Sequence, residues 1–233
     1  MFASDVELDP GEVRVHHAAL DAPLDLDALR AHLAPDEQAR AARFRFDRDR
    51  RRFVVARGRL RVLLARHLET SPADIAFSYG AHGKPALVGS TWLRFNVSHS
   101  HELALFALAR DREVGVDVEH VRTDIRHDDL ARRYFSAREQ AALRGLPDPE
   151  RLDGFFRTWT FKEAFLKATG QGVSRPLGGF DVLLGADGMR LTIADAPGDA
   201  SCWTLHRLDV ASGYAAALVV EGVPSRVSVA PLP

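Results

Sequence analysis

One order of patterns runs twice along this chain, and it leaves few folds open. In the first half, Leu26 to Leu33 and Pro35 to about Phe46 read as short helices. Arg50 to Leu68 carries Phe53, Val54, Leu60, Leu63, Leu64 and Leu68 at the spacing of an amphipathic helix. Ile75 to Tyr79 and Pro85 to Val88 then make a hairpin around Gly80 and Gly83, followed by strand-like runs at Leu93 to Val97, Leu103 to Ala109 and Val114 to Val118. The second half repeats the rhythm. Leu130 to Tyr134 and Ser136 to Arg144 are helical, the latter opened by a capping box of Ser136 and Glu139. Arg151 to Thr169 is a long helix stopped by Gly170 and Gly172. Two hairpins close the copy, Phe180 to Leu184 with Met189 to Ile193 around Gly185-Ala186-Asp187-Gly188, and Cys202 to Leu208 with Tyr214 to Val220. A strand at Glu12 to Ala19 precedes the first copy. The expectation is an α+β fold of two similar lobes facing each other: residues 1–115, residues 116–223, and a peripheral tail at residues 224–233. Sites commonly form between such lobes.

Bulk properties exclude more than they select. The 233 residues carry a net charge of −1, so global charge gives no support to nucleic-acid binding. The single cysteine, Cys202, excludes a disulfide framework and a cysteine-based zinc site. The chain opens on Met-Phe-Ala-Ser-Asp-Val-Glu without an apolar leader, and its longest apolar run, Leu103 to Ala109, is far too short for a bilayer. The reading is a cytoplasmic protein with neither a membrane nor a nucleic-acid partner. Locally, charge is uneven. Eleven arginines lie between Arg40 and Arg66 with only Asp47 and Asp49 among them. That face either attracts an anion or is the solvated side of a helix.

Lysine is scarce: three among 31 basic residues. Lys84 sits in Gly83-Lys84-Pro85, and Lys162 and Lys167 in Trp159-Thr160-Phe161-Lys162-Glu163-Ala164-Phe165-Leu166-Lys167. In a chain that prefers arginine so strongly, an ammonium marks a place where a compact charge serves and a planar fork does not. Glu163 lies one helical turn before Lys167, on the same face. Phe155, Phe156, Trp159, Phe161, Ala164, Phe165 and Leu166 make that helix apolar nearly all round, and so mostly buried. A buried carboxylate needs a partner or a metal; the alternative is an exposed pair worth a few tenths of a kcal/mol.

In Val114-Gly115-Val116-Asp117-Val118-Glu119, alternation puts both carboxylates on one strand face and the valines on the other. Two such carboxylates suit Mg²⁺ or Mn²⁺, or they face solvent from a half-buried strand. In Phe95-Asn96-Val97-Ser98-His99-Ser100-His101 a strand leads into a polar turn, where Ser98 and His99 can bind a phosphate. Plain turn chemistry and a His99–His101 metal pair are the alternatives. The chain has no Gly-x-x-x-x-Gly-Lys loop, no Gly-x-Gly-x-x-Gly fingerprint and no Gly-x-Ser-x-Gly elbow.

Gly83-Lys84-Pro85, Phe95-Asn96-Val97-Ser98-His99-Ser100, Gly115-Val116-Asp117-Val118-Glu119 and Trp159 to Ala168, in this order and spacing, resemble the 4′-phosphopantetheinyl transferases, and most of all their broad-specificity, surfactin-synthetase-activating type. The resemblance spans about Arg40 to Leu177. It implies a pseudo-dimer of two α/β lobes with the active site between them. It also implies a reaction: the 4′-phosphopantetheine arm of coenzyme A moves to a serine of an apo acyl or peptidyl carrier protein, releasing 3′,5′-ADP, with Mg²⁺ or Mn²⁺ as cofactor.

By the same resemblance Asp117, Glu119 and Glu163 hold the metal, and Glu163 is also the base for the carrier serine. Lys167 steadies the pyrophosphate. Arg40, Arg52, Lys84, Pro85, Ser98, His99, Asp117 and Lys167 contact coenzyme A, whereas Lys162 is structural or meets solvent or a partner. The implied partners are carriers of fatty-acid, polyketide or nonribosomal peptide synthesis, docking on Arg122 to Leu146, where Arg126, Arg132, Arg133 and Phe135 lie. A monomer is expected, because two lobes in one chain already make the paired interface. Two positions depart from the family pattern. A base that usually precedes Arg40 falls on Glu37, and Val118 cannot serve as the side-chain ligand that some members place between the Asp and the Glu.

Overall fold

Leu103–Ala109 is buried residue by residue on both faces, and the rest of the chain is layered about it. The computed structural model describes residues 7–90, 92–185, 188–193 and 200–232. The first half consists of β1 (Glu12–Ala19), α1 (Leu26–Ala31), α2 (Pro35–Ala42), α3 (Asp47–Leu68), the hairpin of β2 (Phe77–Tyr79) and β3 (Pro85–Leu87), β4 (Leu93–Ser100) and β5 (Leu103–Arg110). The second repeats it with β6 (Val114–His120), α4 (His127–Tyr134), α5 (Ala137–Arg144), α6 (Asp148–Thr169), the hairpin of β7 (Asp181–Gly185) and β8 (Gly188–Thr192), β9 (Trp203–Arg207) and β10 (Tyr214–Glu221). A last strand, β11 (Arg226–Pro231), has no counterpart in the repeat. The order is that of an α+β pseudo-dimer. The turn residues Ala186 and Asp187 lie outside the described residues.

Two sheets result, β11-β1-β5-β4 and β6-β10-β9. Period-two alternation along β5 sends Ala104, Phe106 and Leu108 toward α3, and Leu105 and Ala107 toward the second sheet. There they meet Val116 and Val118 of β6 and Leu218 of β10. On the far side, Phe161, Ala164, Phe165 and Ala168 of α6 pack on Ala217 and Val219. The layers therefore run α3, first sheet, second sheet, α6, with the apolar faces of β6 and β10 fixing how the halves meet.

Most expected elements appear within a few residues. The Ser136–Glu139 capping box is present: Ser136 N–H donates to Glu139 Oε2 at 2.8 Å, and Glu139 N–H to Ser136 Oγ at 3.2 Å. α6 stops at Gly170, which takes the left-handed conformation at φ 68°. Lys162 proves to be structural. Its side chain is wholly buried, its ammonium donates to Glu139 Oε1 and to the Phe180 carbonyl, both at 2.6 Å, and Val182 N–H donates to the same Glu139 oxygen at 2.7 Å. One buried ion pair thus ties α5, α6 and β7 together.

Two segments differ from expectation. β4 runs on through Ser98, His99 and Ser100 rather than turning at Val97, because its polar side chains find partners across the lobe junction, and such contacts override composition. The segment expected as a peripheral tail forms β11, which pairs in parallel with β1 from Glu12↔Arg226 to His17↔Pro231 and so returns to the first sheet. Deleting residues 224–233 is expected to lower the Tm by several degrees and to promote aggregation, because the β1 edge is left open. An unchanged Tm and an unchanged sedimentation profile would show that β11 is ornamental. No helix among the described residues is long and apolar enough to cross a membrane.

Candidate active site

Gly115 decides how closely α6 approaches β6. A Cβ there would lie 2.1 Å from the Ala164 carbonyl oxygen and 2.3 Å from the Ala168 nitrogen, so only glycine admits the contact. This approach carries Lys167 over the carboxylate of Asp117. Lys167 Nζ donates to Asp117 Oδ1 at 2.7 Å and to Ser98 Oγ at 2.8 Å, and Ser98 Oγ donates to Asp117 Oδ1 at 2.9 Å. Two residues on, Ser100 Oγ donates to Glu119 Oε2 at 2.9 Å. The other Asp117 oxygen, Oδ2, is buried without a hydrogen-bond partner among the described residues.

The field at this point favours a cation. Burial pushes the Asp117 carboxyl up from its ordinary range, although Lys167 and Ser98 pull it down. Burial raises Glu119 as well, followed by the charges of Asp117 and Glu163. Burial likewise raises Glu163, with Asp117 adding to it. Three carboxyls that burial holds toward the neutral form, one with an orphaned oxygen, form a donor set that suits a hard divalent ion. As the side chains stand, no three acidic, imidazole or thiol groups among the described residues close on one point. The Lys167 ammonium is the cation in contact with Asp117.

A cleft of about 630 Å³ opens beside these groups. Lys84 and Pro85 of the first half form part of its wall, with Glu163, Lys167, Arg133, Tyr134 and Arg175 of the second. The Lys84 ammonium is engaged by Glu113 Oε2 at 2.6 Å and by the Ala168 carbonyl at 2.7 Å, which bridges the halves at the end of α6. Glu119 borders a separate hollow of about 340 Å³ that includes Ser100, Phe156 and Trp159.

The remaining candidates, Arg40, Arg52, Ser98 and His99, are not among the residues that line the cleft. Arg52 makes a two-pronged contact with Asp21 at 2.9 and 2.5 Å, and Arg40 stacks over the Phe53 ring at 5.2 Å. The His99 side chain is exposed, yet the partial loss of solvation by surrounding protein pushes its imidazole down, helped by the charges of Lys167, Arg40 and Arg52. Those four groups therefore share one electropositive neighbourhood. Glu37 faces inward instead: it takes ion pairs from Arg57 and from Arg61, the latter at 2.6 Å, and caps α2 through Ala34 N–H at 2.9 Å. Sequence reasoning gave no site role to Ser100, Glu113 or Arg175, and it placed Arg133 and Tyr134 in the carrier-docking segment rather than on the cleft wall. Only Ser100 carried a signal, as the third of the evenly spaced Asn96, Ser98 and Ser100.

Comparison with known proteins follows the same division of the chain. Residues 113–219 match the 4′-phosphopantetheinyl transferase superfamily, and residues 22–110 match the family described as 4′-phosphopantetheinyl transferase, N-terminal. The chain is 44% identical over 168 residues to the 4′-phosphopantetheinyl transferase HetI of Nostoc sp., an alignment covering 70% of this chain and 71% of that protein. It is 28% identical over 179 residues to the 4′-phosphopantetheinyl transferase Sfp of Bacillus subtilis, covering 76% and 79% respectively. The two matched segments coincide with the two structural repeats, and the chain belongs to the 4′-phosphopantetheinyl transferase superfamily.

Proposed function

We propose that this enzyme transfers the 4′-phosphopantetheine arm of coenzyme A to a serine of an apo carrier protein, releases 3′,5′-ADP, and requires Mg²⁺ or Mn²⁺. The observation that carries this reading is the junction cluster: an orphaned, buried Asp117 oxygen under Lys167, with Glu163 on the same helix face. In this reading the two lobes are residues 1–115 and 116–223, followed by a tail at 224–233 whose strand β11 returns to the first.

The roles follow from the chemistry of each group. Glu163, its carboxyl raised by burial, is the base that would take the proton of the carrier serine hydroxyl. The serine oxygen then bonds to the phosphorus next to the pantetheine arm. The phosphorus–oxygen bond to the nucleotide breaks, and its electron pair leaves with 3′,5′-ADP. Lys167 would supply a preformed positive charge to the pyrophosphate as negative charge builds on the leaving oxygen. Asp117, Glu119 and Glu163 would hold the divalent ion, which when bound neutralises phosphate charge and orients the pyrophosphate. Arg40, Arg52, Lys84, Pro85, Ser98 and His99 would grip coenzyme A, with Arg52 exchanging Asp21 for a phosphate and neutral His99 donating a hydrogen bond.

The same reading makes the enzyme a cytoplasmic monomer acting on carriers of fatty-acid, polyketide or nonribosomal peptide synthesis. Arg122 to Leu146 is its docking face. Arg122, Arg126, Arg132 and Arg133 are exposed there, three of them paired with Asp124 or Asp129, whereas Phe135 is buried in the core and is not part of that face.

The test is the intact mass of an apo carrier protein after incubation with the chain, coenzyme A and Mg²⁺. A gain of one phosphopantetheine, abolished by chelation, is expected. Bound coenzyme A with no mass gain across several carrier classes would instead indicate a binding module. Glu163→Gln should retain coenzyme A binding while transfer falls by about 10²-fold or more; a near-normal rate would remove Glu163 from the role of base.

A further inference from the structure

β6 has a free edge, and its amides there are met by side chains rather than by another strand. Val116 N–H donates to Asn96 Oδ1 at 2.9 Å, Val118 N–H to Ser98 Oγ at 3.3 Å, and His120 N–H to Ser100 Oγ at 3.1 Å. The three acceptors stand two residues apart on β4, so they share one face, and their repeat matches that of the amides on the β6 edge. A hydroxyl that accepts still has its own proton to give. Ser98 gives it to Asp117 and Ser100 gives it to Glu119. Each serine therefore holds the carboxylate of one β6 residue and the amide of the next.

The two carboxylates are not held equally. Asp117 is gripped by both Ser98 and Lys167. For Glu119, Ser100 is the one side-chain hydrogen bond among the described residues. A half-exposed glutamate side chain has three rotatable bonds, so without that bond it samples orientations that point away from Asp117.

We propose that Ser100 is a positioning residue: its hydroxyl pins one oxygen of Glu119 against β6 and leaves the other directed to a divalent cation shared with Asp117. This rests on the reading of Asp117, Glu119 and Glu163 as cation ligands. Because Ser100 belongs to the first lobe and Glu119 to the second, the cation site is set by how the lobes meet and not by either lobe alone. Partners that orient a ligand in this way typically change metal affinity 10–100-fold when removed.

The test uses the full chain with coenzyme A present and Mn²⁺ as the probe, the free ion being counted by electron paramagnetic resonance. Ser100→Ala is expected to raise the Mn²⁺ dissociation constant about 10–100-fold. The Mg²⁺ concentration for half-maximal transfer should rise in parallel, while the rate at saturating metal stays close to the parent's. Ser100→Thr, which keeps the hydroxyl, should restore parental affinity. If the alanine variant does not fold, the isosteric pair Ser100→Thr and Ser100→Val decides, because the two differ in the hydroxyl alone. Parental Mn²⁺ affinity in Ser100→Ala or Ser100→Val, alongside loss of affinity in Asp117→Asn, overturns the role of Ser100 and leaves the cation reading standing. A parent chain that binds no Mn²⁺, or an Asp117→Asn variant that binds it normally, overturns both.

Discussion

Glu139→Ala is expected to destabilise the protein by about 3–5 kcal/mol, the usual result of removing one member of a buried ion pair. The Lys162 ammonium is wholly buried, and in this variant the Phe180 carbonyl would be its one remaining hydrogen-bond partner among the described residues, beside the Phe180 ring face at 4.2 Å. Burial already pushes the Lys162 pKa down, and Glu139 is the first influence that opposes it. Losing the proton sets a ceiling on the unpaired-charge part of the damage, about 4.6 kcal/mol at pH 7 for a lysine of ordinary pKa near 10.4, and the acceptor lost by the Ser136 and Val182 amides adds to it. In a protein of this size the change corresponds to a Tm lower by about 6–20 °C.

The direction of the pH dependence is fixed as well. With its folded pKa depressed, Lys162 binds its proton more readily in the unfolded chain, so the variant should gain stability as pH rises toward the ordinary lysine value. Chemical denaturation at pH 7 and at pH 9 measures both effects. A variant as stable as the parent, or one that weakens with rising pH, would refute the account. Replacing both residues, as in Glu139→Leu with Lys162→Met, should recover part of the loss. It cannot recover all of it, since the Ser136 and Val182 amides lose their acceptor.

Gly115→Ala should act on catalysis more than on stability. The added methyl would meet helix backbone at 2.1 and 2.3 Å, and backbone cannot rotate aside as a side chain can. α6 must therefore retreat by roughly 1 Å, a misplacement able to cost about 10²-fold in rate. Glu163 and Lys167 ride on that helix, whereas Asp117 and Glu119 stay with β6. Overpacking of this kind also destabilises by about 1–3 kcal/mol. Transfer rates and denaturation curves together give the answer, and a variant with parental rate would show that the helix has freedom the structure does not suggest.

The repeat was legible in the sequence because its signals are local. β1 occupies the expected span of Glu12–Ala19, and the Ser136–Glu139 box opens α5. What escaped depends on partners far along the chain. Polar residues at the end of β4 read as a turn until β6 supplies amides for Asn96, Ser98 and Ser100. Lys162 and Lys167 look alike in the sequence, five residues apart on one helix, yet one is sealed against Glu139 and the other borders the cleft. The motif residues Lys84, Pro85, Glu163 and Lys167 do gather at the cleft. How Glu37 turns inward, and how Lys84 reaches Glu113 and α6, required the fold.

The parallel pairing of β11 with β1 joins two strands that lie on either side of both lobes in the sequence. During synthesis β1 emerges before either lobe is complete, and its outer neighbour β11 follows only after the whole of the second lobe. Until then the first sheet has a hydrogen-bonding edge open to any other nascent strand, the condition in which partly folded chains mispair. Completion of the first lobe thus waits on completion of the second, and the two halves, similar as they are, cannot mature independently.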